Sequence, residues 1–233
     1  MDEGDGLLSI LIPAYRAEAT IAGAITRALA ADTERLGFAK EIVVCDDGSD
    51  DRTHAIASQI DDARVRVVKH DTHRGAGAAV RTALEVALGG WCVLHDLALD
   101  CDPADLPVLL AAARQGAEVV YGSRFLSDPR PPGMSTASYV ANRVLSITAN
   151  LLYGITLTDE ATCLKLFRTD LLRSLEPTAV GLGLHAELAA KLGQRKIKVI
   201  EVPIAYTPHA DRKLRWRDGV AAMWILVKNR TRS

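Results

Sequence analysis

The stretch LLSILIPAYRAEATIAGAITRALAADTERLGFAKEIVVCDD, residues 7–47, decides the fold. Residues 7–15 are an aliphatic run that ends in Pro13-Ala14-Tyr15, residues 19–31 place apolar side chains at helical spacing, and residues 41–46 are a second aliphatic run closing on acids. Strands buried on both faces read as continuous apolar runs, not alternating ones, and strand–helix–strand at this spacing is the unit of a parallel sheet. The alternation continues outward: helix 52–59, strand 65–69, helix 75–88, strand 91–95, helix 105–115 and strand 118–122. The chain therefore reads as α/β, a mostly parallel sheet with helices on both faces.

Beyond residue 126 the pattern loosens. Residues 127–138 (SDPRPPGMSTAS) predict a loop, and residues 139–153 a helix carrying Val140, Val144, Leu145, Ile147, Leu151 and Leu152. A strand at 163–168, a helix at 184–192 and a strand at 197–206 follow. The tail from residue 211 to 233 holds seven bases against two acids, with Val220, Met223, Trp224, Ile225 and Val227 at helical spacing after Arg212, Lys213, Arg215 and Arg217. A basic amphipathic helix with Trp reads as interfacial, although such a stripe more often packs on its own core. Neither an internal repeat nor a linker divides the 233 residues, so a single domain is expected over residues 1–233.

Composition narrows the function classes. Lys and Arg number 28 against 29 Asp and Glu, a net charge of −1 that argues against a nucleic-acid partner. The four cysteines, Cys45, Cys92, Cys101 and Cys163, form no CxxC pair, which speaks against structural zinc and gives no support to a disulfide framework. No run reaches the roughly 18–20 apolar residues of a membrane span, and acidic residues 1–6 lack the basic region of a signal peptide. A cytoplasmic protein is expected, one able to visit a membrane surface.

Acids gather where predicted strands end: Asp46 and Asp47 in CDDGSDD, Asp96 and Asp100 in HDLALDCDP. In open parallel sheets ligands bind beyond those strand ends, where carboxylates suit bonding to a nucleoside or holding Mg²⁺ or Mn²⁺ against phosphates. The plain alternative for the first cluster is a polar turn with helix caps.

Five motifs in order carry a resemblance: LSILIPAYRAEATI (8–21), EIVVCDDGSDDRT (41–53), the acids before DPADLPVLL (102–110), VVYGSRF (119–125) and LTDEATCLKLFR (157–168), extended by KVIEVPIAY (198–206). Together they resemble family 2 glycosyltransferases of the GT-A fold, in particular the dolichyl- or polyprenyl-phosphate sugar synthase branch. The resemblance implies a GT-A, Rossmann-like three-layer sandwich forming one catalytic domain. It further implies an inverting, hexosyl-type transfer from a GDP-, UDP- or dTDP-sugar to a polyprenyl phosphate. By the same resemblance Pro13, Tyr15 and Asp46 or Asp47 hold the nucleoside, together with Gly75, Asp96 and Leu97. Gly75 lies in His73-Arg74-Gly75, where the family has Asn-x-Gly. Aligning on Asp102-Pro103 sets Asp96, Ala98 and Asp100 on the three liganding positions of the family's D-x-D-x-(Q/E/D) metal motif.

Two departures stand out. Ala98 replaces the central acid, which predicts a weakly bound or dispensable Mg²⁺ or Mn²⁺, and Arg16-Ala17 replaces the Asn-Glu of the family's P-A-Y-N-E. An acceptor phosphate monoester, with a second pKa of about 6, is already anionic near neutral pH and needs cations to hold it, not a base. Arg124 and Arg143 match the positions expected for this, with Arg212 and Lys213 as helpers and the tail and the 139–153 helix beside the lipid at the cytoplasmic membrane face. A hydroxyl acceptor, from a natural product or glycan, would instead require a base, for which Asp159 is the leading candidate. Glu187 also recurs in the family, or lies on a solvated helix face.

Rival readings remain at this level. Gly75-Ala76-Gly77-Ala78-Ala79-Val80, with Asp96 about twenty residues on, is a partial dinucleotide fingerprint lacking its third glycine. A nucleotide-sugar-binding relative that lost catalysis through Ala98 and Ala17 is the non-enzymatic alternative.

Overall fold

The computed structural model describes residues 6–95, 101–181, 183–206 and 216–230. Its strands are β1 (Leu7–Ala14), β2 (Ala39–Asp46), β3 (Val65–Lys69), β4 (Trp91–His95), β5 (Val119–Ser123), β6 (Leu164–Arg168) and β7 (Ile200–Pro203). They form one sheet in the order β3-β2-β1-β4-β6-β5-β7. β1 pairs in parallel with β2 and β4, β2 with β3, and β5 with β7, whereas β6 runs antiparallel to both β4 and β5. The chain lays β2 and β3 on one side of β1 and returns with β4 on the other. The carboxyl ends of β1 and β4 therefore flank the switch point of the sheet, the place beside which open α/β sheets form their ligand crevice.

Helices cover both faces. Successive side chains of a strand point to opposite sides, so each aliphatic run feeds two cores. Ile10, Ile12, Ile42, Val44 and Val93 pack with Ile21 and Ile25 of α1 (Ile21–Ala30), Ala57 of α2 (Thr53–Ser58) and Leu106 and Leu109 of α4 (Leu106–Arg114). Leu11, Val43, Cys45 and Leu94 pack with Ala79, Ala83 and Leu84 of α3 (Ala76–Val86), Leu172 of α7 (Thr169–Ser174) and Leu184 and Leu188 of α8 (Gly183–Gln194). Each such aliphatic side chain contributes about 1.5–3 kcal/mol by leaving water. Polar residues inside the strands are paired: buried Ser9 donates to Glu41 (2.6 Å), which also accepts from the Leu88 amide.

A third cluster joins Leu145, Ala149 and Tyr153 of α6 (Thr136–Tyr153) to Ala186 and Ala190 of α8 and Ala222 and Leu226 of α9 (Trp216–Arg230). The Tyr153 hydroxyl donates to the Leu226 carbonyl. The opposite side of α6 exposes Val140, Val144, Ile147 and Leu151, the last 81% exposed, and α9 exposes Val220, Val227 and Trp224, the last 65%. Among the described residues no helix is long and apolar enough to cross a membrane.

Two sequence expectations need correction, and two short helices were not anticipated. The 127–138 loop is shorter than expected, because α5 (Arg124–Ser127) occupies its start and α6 begins at Thr136, where Ser135 Oγ accepts from the Ser138 amide. α5 and α7 escaped notice because helices of one turn or so show no periodicity. The cysteines are also not all independent: the fold brings Cys101 and Cys163, 62 residues apart, to a Cα separation of 6.4 Å and pairs them in a disulfide, a distance within the usual range. Spacing along the chain carries no trace of that encounter. Cys45 and Cys92 are buried free thiols.

Candidate functional site

The carboxyl ends of β1, β2 and β3 build one wall of the crevice. Asp46 and Asp47 are both buried but differ in their bonding. Asp47 accepts four contacts, from the Arg74 amide (2.9 Å), the Gly75 amide (2.6 Å), His70 Nδ1 (2.7 Å) and His73 Nδ1 (2.8 Å). It thereby anchors the 70–75 loop. Asp46 accepts from the Ser49 amide through Oδ1, while its Oδ2 has no hydrogen bond, with Lys69 Nζ and His54 Nδ1 each 3.9 Å away. Gly48 explains how the loop lies so close: its φ is +71°, and a Cβ there would overlap the Thr72 backbone.

Tyr15 leaves β1 into this wall, 39% exposed, and Pro13 lies in β1 two residues earlier. Arg16 takes the left-handed φ of +49°, a conformation that suits Asn and is costly for Arg. The cost is offset by its amide bonding Ser49 Oγ (2.9 Å) and its guanidinium gripping Asp50 at 2.8 and 2.7 Å. Asp96, Leu97, Ala98 and Asp100 lie outside the described residues, as do Arg212 and Lys213. Among the described residues no group of three or more His, Cys, Asp or Glu side chains converges as a metal site; Asp96 and Asp100 are carboxylates of the hard-oxygen type that Mg²⁺ and Mn²⁺ take.

The opposite wall follows from the reversal of β6. Because β6 is antiparallel, its amino end sits beside the carboxyl end of β4, His95 opposite Leu164. The segment preceding it, with Asp159 and Glu160, is thus delivered to the crevice end of the sheet. Arg124, at the end of β5, meets Asp159 there through Nε–Oδ2 and Nη2–Oδ1 bonds of 2.7 Å, and its amide also donates to Oδ2. Asp159 is 0% exposed, and its own amide and that of Thr158 donate to Glu201. The Arg124 guanidinium lies 5.8 Å from the Phe125 ring centre and 6.0 Å from that of Tyr206. Arg143, on α6, lies 5.8 Å from the same Phe125 ring, bonds the Thr158 carbonyl at 3.3 Å, and has no carboxylate within ion-pair distance among the described residues. Two guanidiniums thus converge on one aromatic ring.

Behind this wall lies a buried polar knot that the sequence reading missed. Lys165 donates to the Thr162 carbonyl (2.6 Å), contacts His185 Nδ1 (2.9 Å) and lies 4.8 Å from the Tyr121 ring centre. Burial lowers its pKa to about 8, against the pull of Glu160 and Asp159, and burial raises that of Glu160. The one available signal was a charged residue inside the apolar run LKLF. His70 was missed too, although HDTHRG placed it just ahead of Gly75, and His73 was read only as part of the segment His73-Arg74-Gly75, with no role of its own.

Two expectations resolve differently from their sequence readings. Glu187 is neither catalytic in position nor solvated: it is buried and accepts from Thr178 N, Thr178 Oγ1, Ala179 N and Lys191. That fastens residues 178–180 onto the start of α3, where the Gly77 amide donates to the Val180 carbonyl (2.8 Å) and Cβ atoms on Gly75 or Gly77 would overlap the Val180 or Ala179 carbonyl. The space a dinucleotide's pyrophosphate would take at that helix start is filled by protein, which removes the dinucleotide-fingerprint reading.

Comparison with known proteins agrees with this geometry. The family model "Glycosyl transferase family 2" matches residues 9–175. The chain is 29% identical over 203 residues to the low-salt glycan biosynthesis hexosyltransferase Agl6 of Haloferax volcanii, covering 86% of this chain and 48% of that protein. It is 31% identical over 207 residues to the dolichyl-phosphate hexose transferase of the same organism (87% and 84%), and 32% over 180 residues to the polyprenol monophosphomannose synthase of Mycolicibacterium smegmatis (71% and 66%). The chain thus spans about half of the first relative and most of the second. Glucosyl-3-phosphoglycerate synthase from Mycobacterium tuberculosis, solved with Mn²⁺, UDP-glucose and phosphoglyceric acid, superposes with a TM-score of 0.73 at 21% identity over 96% of this chain and 79% of that one. At that identity the likeness speaks for the fold alone, and that fold is GT-A.

Proposed function

The chain belongs to glycosyl transferase family 2, and on that premise we propose that it is an inverting enzyme moving a hexosyl group from a nucleotide sugar to a polyprenyl, dolichyl-type phosphate. The observation that carries this reading is the pair Arg124 and Arg143 meeting over Phe125 while Asp159 is consumed in holding Arg124. A phosphate acceptor needs cations and no base; a hydroxyl acceptor needs an open carboxylate, and Asp159 does not offer one. Relatives named for dolichyl-phosphate and polyprenol-phosphate transfer support the acceptor class.

In this mechanism Tyr15, Pro13 and Asp46 hold the nucleoside, and Asp47 holds the 70–75 loop against it, with Gly75 in place beneath residues 178–180. Asp96 and Asp100 would hold a divalent cation, which when bound neutralises charge on the leaving diphosphate; with Ala98 between them its binding is weak or dispensable. Arg124 and Arg143, helped by Arg212 and Lys213, fix the acceptor phosphate. One of its oxygens attacks the anomeric carbon from the face opposite the departing diphosphate, forming the C–O bond to the lipid phosphate as the bond to the nucleotide breaks. The reading takes residues 1–233 as one catalytic domain with a basic amphipathic tail. It also rests the exposed apolar stripes of α6 and α9 on the cytoplasmic face of a membrane, as a peripheral contact.

A donor panel tests it: GDP-, UDP- and dTDP-sugars with the purified protein, with and without polyprenyl phosphate, in Mg²⁺, Mn²⁺ or EDTA. Sugar transfer that requires the lipid phosphate is the expected result. A protein that neither binds nor turns over any nucleotide sugar under any of these conditions overturns it.

A further inference from the structure

His73 has no role in the reaction as described, yet it is restrained from two directions. Its imidazole stacks on Tyr15 with centroids 3.9 Å apart and planes inclined by 27°, and its Nδ1 sits 2.8 Å from Asp47 Oδ2. Tyr15 follows β1 and His73 follows β3, so the two rings meet over the end of β2, the strand between theirs. That bridge exists only because Gly48 lets the 72–73 backbone pass at contact distance. Even so, 50% of the His73 side chain remains open to solvent.

The restraint fixes the chemistry of the open part. A carboxylate only accepts, so Nδ1 carries the proton shared with Asp47; in the neutral form of the ring Nε2 is then the nitrogen with the lone pair. The outward surface of the side chain is therefore a flat aromatic face with one acceptor on its edge. A planar heterocycle carrying ring or exocyclic N–H groups complements both features: stacking satisfies the face regardless of base identity, and the acceptor distinguishes one base edge from another.

We infer that His73 reads the base of the donor: the nucleobase lies on the outer face of the imidazole, and Nε2 accepts from an N–H on its edge. Asp47, whose oxygens are fully engaged within the protein, is then the positioning residue that aims the ring and does not itself touch the base. This inference rests on the nucleotide-sugar reading above and names the residue that sets its base preference.

Calorimetric titration of UDP, GDP and dTDP separates the two. His73→Asn keeps an N–H for Asp47 and removes the ring; it is expected to weaken the preferred nucleotide by about fivefold or more, the size of one lost base–aromatic stack. His73→Phe restores the ring without Nε2; it is expected to hold affinity within roughly threefold of wild type while narrowing the difference between UDP and GDP. Wild-type binding together with an unchanged H73N, or an H73F as weak as H73N, overturns this inference alone. A wild-type chain that binds none of the three nucleotides overturns the donor reading and the inference with it.

Discussion

Arg124 and Asp159 face each other edge to edge, two 2.7 Å bonds joining a guanidinium at the end of β5 to a carboxylate just ahead of the antiparallel strand β6. Both are buried. A charge in such a place is tolerated because its partner is there, so each residue fixes the position of the other.

Removing one member leaves the other uncompensated, which costs about 3–5 kcal/mol. Asp159→Ala is therefore expected to lower the melting temperature by about 6–20 °C at roughly 2–4 °C per kcal/mol for a chain of this size. Asp159→Asn, which keeps the shape, should lose kcat/KM toward the lipid phosphate through misplacement of Arg124, with the limbs of its pH–rate profile unmoved. A limb that disappears in D159N would return Asp159 to the role of general base.

Arg143 invites the opposite pattern. It has no described carboxylate partner and is only half-buried, so Arg143→Ala should leave the melting temperature nearly unchanged. Losing one hydrogen bond to a charged group, worth about 1.5–3 kcal/mol, should raise KM for polyprenyl phosphate by about 10- to 100-fold. Steady-state kinetics at fixed donor decide this, and an unchanged KM places the acceptor elsewhere.

Lys165 makes a prediction about pH. Its pKa is about 8 in the fold against an ordinary 10.5, so between these values the unfolded chain binds more protons and folding is favoured as pH rises. Burial raises Cys45 and Cys92 to about 12 from 9.0, which works against stability above pH 9, so the Lys165 contribution must be read as a difference. The urea-unfolding free energy of wild type relative to Lys165→Met is expected to improve by about 2 kcal/mol between pH 8 and 10. A flat difference over that interval would mean that the lysine is already neutral, or still fully charged, throughout.

The Cys101–Cys163 bond closes a loop of 62 residues. On the chain-entropy account this is worth about 4 kcal/mol, so reduction, or a C101S/C163S double variant, should lower the melting temperature by about 8–16 °C. Alkylation without reductant should modify neither Cys101 nor Cys163 in unfolded protein. If both react, the thiols are free in the protein as isolated, which is what a reducing compartment would enforce.

The sheet was legible because β1, β2 and β4 are largely apolar runs buried on both faces, and residues 65–69 and 91–95 were read with their observed ends. Direction was not legible at β6, since LKLFR carries no mark of running antiparallel. The two aspartates of CDDG are chemically identical in sequence, and only the folded 70–75 loop separates the saturated Asp47 from Asp46 with its unbonded oxygen. Likewise Asp159 reads as an acid near a reaction centre until Arg124, 35 residues earlier, is seen to occupy it. Gly75 and Gly77 could serve a phosphate or a neighbouring loop equally well; the choice is made by Glu187, 110 residues beyond Gly77, through the segment it holds.

The strand order also sets a schedule for synthesis. β1 to β4 are neighbours in a sheet that can be assembled from residues 7–95 alone, whereas β5 pairs only with β6 and β7, both made later. At about 5–20 residues per second, some 2–8 s of translation separate Ser123 from Leu164. During that interval β5 is an apolar edge without a partner, the kind of segment that templates aggregation, and residues 119–123 are where a nascent chain of this protein most needs a chaperone.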